Sequence, residues 1–241
     1  MNKSIIFSVL VVLVFGILFY KLGFGPKSDT ENKDVTINPI QLCFAKYGTP
    51  NERGSADEYT LRLSIKGTEA NGELNMLPAE KDSKVGTFVG TVSVLDQQSI
   101  SARHADLVWD TRAEGQSAKE QLTIIFGEGT ASIGFGEMVQ GAGGVYLYKD
   151  PTKISYNLDL TDVSCSDLEE REAVIEYLNK NITKLSPTKA VLGGTWYIVS
   201  SSVNIQNNSG SVTYEDGHIQ EKRNFTYTTS PQNTITQMNF K

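Results

Sequence analysis

Apolar and polar residues alternate along short stretches of the chain between residues 40 and 161. The clearest stretch is Tyr59, Leu61, Leu63 and Ile65. Others are Phe88 to Val94, Leu107 to Trp109, Leu122 to Phe126, Ala131 to Phe135, and Ile154 to Leu160. Alternation of this kind buries one face of a β-strand and leaves the other in water. Roughly eight such stretches predict an antiparallel meander that closes into a β-barrel or folds into a sandwich.

Glycine marks both the ends and the interiors of these stretches. Breaks such as Gly67 and Gly127 to Gly129 separate the strands by connections of hairpin size. Four further glycines lie within or beside the strands: Gly72, Gly90, Gly134 and Gly136. We interpret these four as bends, because a small barrel must curve and a strand glycine allows it.

The pattern changes at Cys165. Ser166 and Glu169 have the spacing of a capping box, in which each side chain bonds the other's backbone N–H. An apolar stripe at helical spacing follows, at Leu168, Val174, Tyr177, Leu178 and Ile182. We therefore predict a helix from about Asp167 to Asn181.

Three strands are predicted after this helix: Thr195 to Ile205, Ser211 to Tyr214, and His218 to Thr228. Asp216-Gly217 joins the last two, and such a pair favours a hairpin because the turn needs positive φ. One helix before a three-stranded antiparallel sheet forms a small α+β unit, similar in shape to cystatin-like or NTF2-like units. The final residues, 231–241, are predicted to be a frayed tail.

The first 25 residues carry a long apolar segment. Ile5 to Tyr20 is apolar or aromatic except at Ser8 and Gly16, and Lys3 precedes it. Its length is just short of the roughly 20 residues that span a bilayer, and the basic start favours an inside amino terminus. We predict an uncleaved signal anchor with the rest of the chain exported. A cleaved signal peptide and a buried helix of a soluble protein stay as alternatives.

The negative net charge of this chain argues against a protein that binds nucleic acid. It has 22 Lys and Arg against 28 Asp and Glu. Without Lys3 and Lys21, 20 basic residues face the same 28 acids, a net of −8 from residue 27 onward. The predicted organisation is a transmembrane helix (1–25), a linker (26–38), a barrel-like domain (39–165), an α+β unit (166–230) and a tail (231–241). An acidic exported part is repelled by an anionic membrane surface, so the linker acts as a tether.

Cys43 and Cys165 are the two cysteines of the chain. Export places them in a compartment that permits oxidation, and two is the smallest number that can pair. The pair brackets the predicted barrel, so a bond between them closes a loop of on the order of 100 residues. We predict a disulfide, with two buried thiols as the alternative.

Residues with catalytic or metal-binding chemistry are few. His104 and His218 belong to no metal-ligand pattern, and the cysteines lack ligand spacing. The glycines around Glu128 match no phosphate-binding motif and have no helix after them. We therefore predict no metal, no cofactor and no recognisable catalytic set.

Two carboxylates are exceptions. Glu114 and Glu137 stand where apolar strands pass into turns, so both are candidates for a barrel mouth. Paired carboxylates are the working groups of glycoside hydrolases, at separations near 5 Å or about 6.5–9.5 Å. This pattern keeps a glycan or cell-wall hydrolase as an alternative function, although capped turns or surface charges are the simpler explanation of both residues.

Several segments together resemble a group of uncharacterised exported bacterial proteins. They are Asn75 to Phe88, Ala113 to Gly115, Phe126 to Gly129, Gly134 to Met138, the stretch VLGGTWY and the stretch YEDGHI. The resemblance implies an apolar amino-terminal segment followed by a β-rich domain, and it supplies no catalytic residue. The hypothesis at this stage is a membrane-tethered, non-enzymatic envelope protein that binds a small apolar ligand or an envelope protein. A purely structural scaffold is the further alternative.

Overall fold

Fourteen β-strands and one long helix make up the part of the chain that the computed structural model describes, residues 38–51, 55–94 and 102–241. The first ten strands are β1 (Ile40–Tyr47), β2 (Glu58–Lys66), β3 (Glu69–Leu77), β4 (Lys84–Val92), β5 (Arg103–Ala113), β6 (Gln116–Gly127), β7 (Thr130–Phe135), β8 (Met138–Gln140), β9 (Val145–Tyr148) and β10 (Ser155–Val163). Helix α1 (Cys165–Leu185) follows, and then β11 (Tyr197–Asn204), β12 (Ser209–Glu215), β13 (Gln220–Thr229) and β14 (Ile235–Phe240).

Eight of these strands close into an antiparallel barrel. Neighbours along the chain pair from β1 to β7, β10 pairs with β7, and β10 returns to pair with β1. Each barrel strand therefore has a partner on both sides, which removes the free edges that make open sheets prone to aggregate. Of the two architectures that the sequence left open, the structure has the barrel.

The barrel interior is filled by side chains from the predicted inward faces. The buried cluster is Phe44, Leu61, Leu63, Ile65, Ala70, Leu74, Phe88, Val92, Ala105, Leu107, Trp109, Leu122, Ile124, Phe126, Ala131, Ile133 and Leu160. An eight-stranded barrel has an interior just wide enough for such side chains to fill. Its stability comes from this apolar burial, and the indole N–H of Trp109 is satisfied by the Gly86 carbonyl at 3.0 Å.

The strand glycines permit close approach between neighbouring strands. A Cβ on Gly72 would lie 1.9 Å from the Arg62 carbonyl oxygen and 2.7 Å from the Phe88 ring. A Cβ on Gly90 would lie 2.2 Å from the Asp106 carbonyl oxygen. Only glycine fits at these two points, which agrees with strands that bend sharply around a narrow barrel.

A small two-stranded flap extends the sheet beside β6. Strands β8 and β9 form a short antiparallel ladder, and β9 runs parallel to β6. The buried ring of Tyr148 anchors the flap, and its hydroxyl donates to the Gly134 carbonyl at 2.9 Å. Burial raises the pKa of this hydroxyl to about 12, so it keeps its proton and its hydrogen bond at physiological pH.

Helix α1 buries the predicted apolar stripe, with Leu168, Val174, Leu178 and Ile182 inside. Its beginning differs from the prediction. The helix starts at Cys165 directly after β10, and the first backbone bond runs from the Leu168 N–H to the Ser164 carbonyl at 3.1 Å. Ser166 therefore lies within the first turn, and the predicted capping box with Glu169 is wrong.

The sheet after α1 has four antiparallel strands in the order β11-β12-β13-β14. One face packs on the helix in a second buried cluster: Val174, Leu178, Ile182, Trp196, Val212, Tyr214, Phe225, Tyr227, Ile235 and Met238. The predicted three-stranded sheet and frayed tail are corrected by β14, which contributes Ile235 and Met238 to this core. Residues 38–241 form one compact unit, and the predicted boundary at residue 165 stays a prediction.

A covalent link joins the barrel to the helix. The sulfur atoms of Cys43 in β1 and Cys165 at the start of α1 lie 2.08 Å apart, which is disulfide distance, across a separation of 122 residues. The predicted pairing is confirmed. The predicted transmembrane helix at residues 1–25 lies outside the described residues, and among those described no helix is long and apolar enough to cross a membrane.

Candidate functional site

A concave site lies between one rim of the barrel and the edge of the four-stranded sheet. It encloses about 790 Å³ and is bounded by the end of β1, the start of β2, the end of β3, helix α1 and residues 198–204 of β11. This volume is within the range of protein ligand sites. We call this site the groove.

Strand β11 forms one wall of the groove, and no other described strand pairs with one of its edges. Among the residues that the structure describes it pairs with β12 alone, from Tyr197 opposite Glu215 to Asn204 opposite Ser209. The other edge faces the groove, where Val199, Ser201 and Val203 are among the lining residues. A strand edge carries a row of backbone donors and acceptors that can pair with another extended chain.

The opposite wall comes from the barrel rim. Pro50, Leu77, Pro78 and Ala79 give it an apolar surface. Asp57 shapes the same rim, because its Oδ1 accepts a hydrogen bond from the Ala79 N–H at 2.8 Å. The groove thus has apolar surface on one side and backbone polar groups on the other, which is the combination that binds extended chains.

Arg171 of α1 fixes the floor of the groove. Its Nε and Nη2 donate to the two carboxylate oxygens of Glu58 at 3.2 and 2.7 Å, and its Nη1 donates to the Val203 carbonyl at 3.3 Å. The guanidinium also lies 4.4 Å from the centre of the Tyr47 ring. One side chain therefore joins the helix to both β2 of the barrel and β11 of the sheet. We call these contacts the Arg171 clamp.

The electrostatics of the clamp follow from its partial burial. Burial alone would lower the pKa of Arg171, but the hydrogen bonds and negative charge of Glu58 outweigh it and hold that pKa above its ordinary value. Burial also raises the pKa of the Tyr47 hydroxyl, against the opposing charge of Arg171. The guanidinium stays charged and the phenol stays neutral across the physiological range.

A second ion pair joins the same helix to the same barrel strand. Arg62 of β2 contacts Glu172 at 2.5 Å and Glu169 at 3.6 Å. Burial raises the pKa of Glu172 despite the attraction of Arg62. With the disulfide and the Arg171 clamp, this pair fixes α1 against the barrel at three places along its first two turns.

The groove carries an excess of negative charge. Asp57, Glu58 and Asp167 line it against one cation, Arg171. Because Glu58 neutralises Arg171, the carboxylates of Asp57 and Asp167 supply the negative charge that an entering ligand meets. The charge of the groove therefore favours a partner that carries Lys or Arg.

A polar cluster on the outside of the barrel resembles a catalytic arrangement. His104 Nδ1 lies 3.3 Å from Asp106 Oδ2, and its Nε2 is hydrogen bonded to Thr123 Oγ1, which also lies 3.3 Å from the Tyr156 hydroxyl. An acid, an imidazole and a hydroxyl in series are the parts of a nucleophilic triad. Thr123 is only 2% exposed, however, so its oxygen is closed to a substrate. The contacts of the cluster join β5, β6 and β10, so we assign it a structural role.

The sequence contains the pattern that places these side chains together, but we did not predict the cluster from it. His104 and Asp106 share the outward face of β5, and Asp106 stands opposite Thr123 of β6. Alternation along two adjacent strands thus places the three side chains together. The bond between His104 and Thr123 gives this histidine a structural role.

The two candidate carboxylates of the hydrolase hypothesis occupy ordinary structural positions. Glu114 and Gly115 have positive φ, 47° and 75°, in the two-residue turn between β5 and β6. Glu137 forms an ion pair with Lys149 at 2.7 Å, and both side chains are exposed. Neither carboxylate lines the groove, so the geometry offers the hydrolase hypothesis no support.

The second histidine belongs to a turn organised by Asp216. The Asp216 carboxylate accepts from the N–H of Ile219 at 2.9 Å, of Val191 at 2.6 Å and of His218 at 2.9 Å. The bond from Ile219 is the largest of the effects that hold the pKa of this carboxyl below its ordinary value, against the opposing effect of desolvation. Asp216 and Gly217 thus form the predicted turn between β12 and β13 and tie it to the loop before β11.

Within residues 38–51, 55–94 and 102–241, no group of three or more His, Cys, Asp or Glu side chains is placed to hold a metal ion. Comparison with known proteins adds no function. No protein-family model, curated protein or solved structure matches the chain. The resemblance to exported bacterial β-rich proteins, and the cystatin-like or NTF2-like shape, therefore stay predictions.

Proposed function

We propose that this protein is a membrane-tethered, non-enzymatic binding module of the cell envelope that holds a protein partner in the groove. The observation that carries the proposal is the juxtaposition of an unpaired strand edge, β11, with an apolar barrel rim across an open volume of about 790 Å³. Sites of this shape bind segments of other proteins.

Two features support a location outside the cytoplasm. The apolar segment Ile5 to Tyr20 has the character of a signal anchor. The sulfurs of Cys43 and Cys165 are at disulfide distance, and disulfides persist in oxidising compartments. The barrel and the sheet would then face the extracytoplasmic space, tethered through residues 26–38.

The filled barrel favours a protein partner over a small apolar ligand inside the barrel. Phe88, Trp109 and Phe126 belong to one buried cluster of 17 residues in its interior. In our proposal the barrel is a rigid support that positions β2 and the Arg171 clamp, and binding occurs outside it. The same packing is what a purely structural scaffold would show, so the scaffold is the second candidate.

Site-specific photo-crosslinking in the cells that produce the protein separates these two functions. A photoreactive residue at Gln206, which lines the groove and is exposed, is compared with one at Val89, which is 64% exposed on the outer barrel face. We expect a discrete protein adduct from Gln206 that is absent from Val89. Adducts from neither position, or the same adducts from both, would leave the scaffold as the better account.

Export is tested on the same cells. We expect the chain in the membrane fraction, with the part after residue 38 cleaved by protease added to the outside once any outer layer is removed. Protection of that part from the protease in intact cells would contradict the proposed orientation.

A further inference from the structure

We propose that the partner enters the groove as an extended, basic peptide segment and adds to the four-stranded sheet as a fifth strand, beside β11. This inference rests on the proposed function and specifies its ligand. When a peptide adds to a sheet as a strand, backbone hydrogen bonds provide the affinity. Pockets that receive every second side chain of the peptide provide the selectivity.

The direction of two carbonyls shows which backbone groups of β11 face away from β12. The Val203 carbonyl accepts from Arg171, so it points away from β12. The Ser202 carbonyl points towards β12, because a Cβ on its neighbour Gly210 would lie 2.2 Å from that oxygen. Backbone groups alternate along an antiparallel strand, so the N–H and C=O of Ser201, like those of Val203, face the groove.

The sequence of β11 lacks the usual protection of a strand edge. Its residues, YIVSSSVN, include no proline and no charged side chain, whereas natural edge strands carry Lys, Pro or inward charges to prevent pairing. The register shift between Ile198 and Ser200 is its one irregularity. An unprotected edge that faces a groove, instead of open solvent, is what a dedicated strand-binding site requires.

The Arg171 clamp sets the length of the new ladder. Since Arg171 occupies the Val203 carbonyl, the incoming strand pairs with the edge between the irregularity at Val199 and the N–H of Val203. Five residues of β11 span about 13 Å at the rise of a β-strand. The partner therefore needs a short extended segment and no folded domain of its own in the groove.

The chemistry of the peptide follows from the rest of the groove. Asp57 and Asp167 line the groove and form no ion pair with any described cation, so they favour Lys or Arg in the peptide. Leu77 and Pro78 on the barrel rim favour an apolar or β-branched residue at alternate positions. Acidic segments are disfavoured by both the local carboxylates and the net charge of −6.

The test begins with selection from a display library of random peptides about eight residues long, the length of β11, with the full-length chain in nonionic detergent as bait. We expect enriched peptides to be basic, with β-branched residues at alternate positions. Enrichment of acidic peptides, or no enrichment, would overturn the inference.

Amide hydrogen exchange then locates a selected peptide. We expect the N–H groups of Ser201 and Val203 to exchange at least about tenfold more slowly when the peptide is bound, since each gains a hydrogen bond. The N–H of Ser202, already directed at β12, is the internal control and should change little. Protection of Ser201 and Val203 in the free full-length chain would show that the chain's own amino-terminal segment fills the edge, and would overturn the assignment to a partner.

A matched pair of variants separates backbone pairing from other binding in the groove. Ser201→Pro removes the outward N–H at an edge position that tolerates proline, whereas Ser201→Ala keeps the N–H and removes the hydroxyl. We expect Ser201→Pro to weaken peptide binding about tenfold or more and Ser201→Ala to weaken it less than about twofold. Thermal unfolding of both variants confirms that each is folded.

The outcomes distinguish this inference from the proposed function. If the Gln206 adduct forms but Ser201 and Val203 stay unprotected and Ser201→Pro binds normally, the groove binds a protein by another mode and strand addition is overturned. If the adduct and the peptide binding are both missing, the proposed function fails together with the inference.

Discussion

The Arg171 clamp provides the most direct test of how the groove is held open. Arg171→Met keeps the length of the side chain but removes its charge and its bonds to Glu58 and Val203. Glu58→Gln removes the charge of the partner and leaves an amide oxygen that still accepts a hydrogen bond. The two single variants and the double variant together form a double-mutant cycle, which isolates the energy of the pair.

The expected magnitudes follow from the partial burial of both side chains. Arg171 is 11% exposed and Glu58 is 20% exposed, between the limits of a buried and a surface pair. Removing one partner of a buried pair costs about 3–5 kcal/mol, and surface pairs contribute about 0–1 kcal/mol. We therefore expect Arg171→Met to lower the free energy of unfolding by about 2–3 kcal/mol and Glu58→Gln by about 1–2 kcal/mol. The coupling energy should be about 1–2 kcal/mol.

Urea unfolding, followed by circular dichroism, measures all four proteins of the cycle. The matched control is the cycle for Glu176 and Lys180, an exposed pair one turn apart on the same helix, where we expect about 0.3–0.5 kcal/mol. A coupling energy for Arg171 and Glu58 no larger than that of the control pair would refute the reasoning, because it would mean that the clamp is solvated like a surface pair.

Three further predictions concern the rest of the fold. Reducing the Cys43–Cys165 bond should lower the free energy of unfolding by up to about 5 kcal/mol, since the bond closes a loop across 122 residues; identical urea midpoints with and without a reductant would contradict this. Phe88→Ala should cost about 3–5 kcal/mol in the barrel core, while Val89→Ala on the outer face changes stability by less than about 0.5 kcal/mol. Asp216→Asn should be less stable than the parent protein at pH 7. That difference should shrink as the pH falls below about 4, because a carboxyl with a lowered pKa stabilises the fold only while it is ionised; a difference constant from pH 7 to pH 2 would argue against it.

The alternation of residues was sufficient to predict an antiparallel meander, because each strand has one face in the core, but it left both a barrel and a sandwich open. Leu61, Leu63 and Ile65 of β2 are all buried, as their spacing requires. The same logic predicted the buried stripe of α1, where Val174, Leu178 and Ile182 recur at helical spacing. In both cases a single local period determines which side chains are inside.

Strand β14 escaped prediction because its buried residues do not alternate. Ile235 and Met238 are three positions apart, and the register of β14 shifts between the pairs Thr228–Gln237 and Thr229–Ile235. A bulge adds one residue to a strand, so the local period is no longer two. The start of α1 was placed too late because Ser166 and Glu169 have the spacing of a capping box, whereas the residue before the helix is Ser164.

The groove could not be predicted from the sequence. Its walls come from the barrel rim, near Asp57 and Leu77, and from β11, whose lining starts at Ile198, more than 100 positions later in the chain. The side chain that joins the two walls, Arg171, looks in the sequence like one polar residue of a helix surface, and its partner Glu58 lies 113 positions away. Local periodicity carries no information about contacts at such separations.

The bond between Cys43 and Cys165 has a mechanical consequence for a tethered molecule. In the proposed tethered state, the chain before β1 is pulled while a partner bound at β11 resists. The tension then passes from Cys43, the fourth residue of β1, directly into Cys165, the first residue of α1. The 122-residue span between the two cysteines, which contains nearly the whole barrel, lies outside that path and bears no stretch. Pulling would therefore strain residues 40–42 of β1, the helix and the four-stranded sheet first, and the chain between the two cysteines could not be extended until the sulfur–sulfur bond is cut.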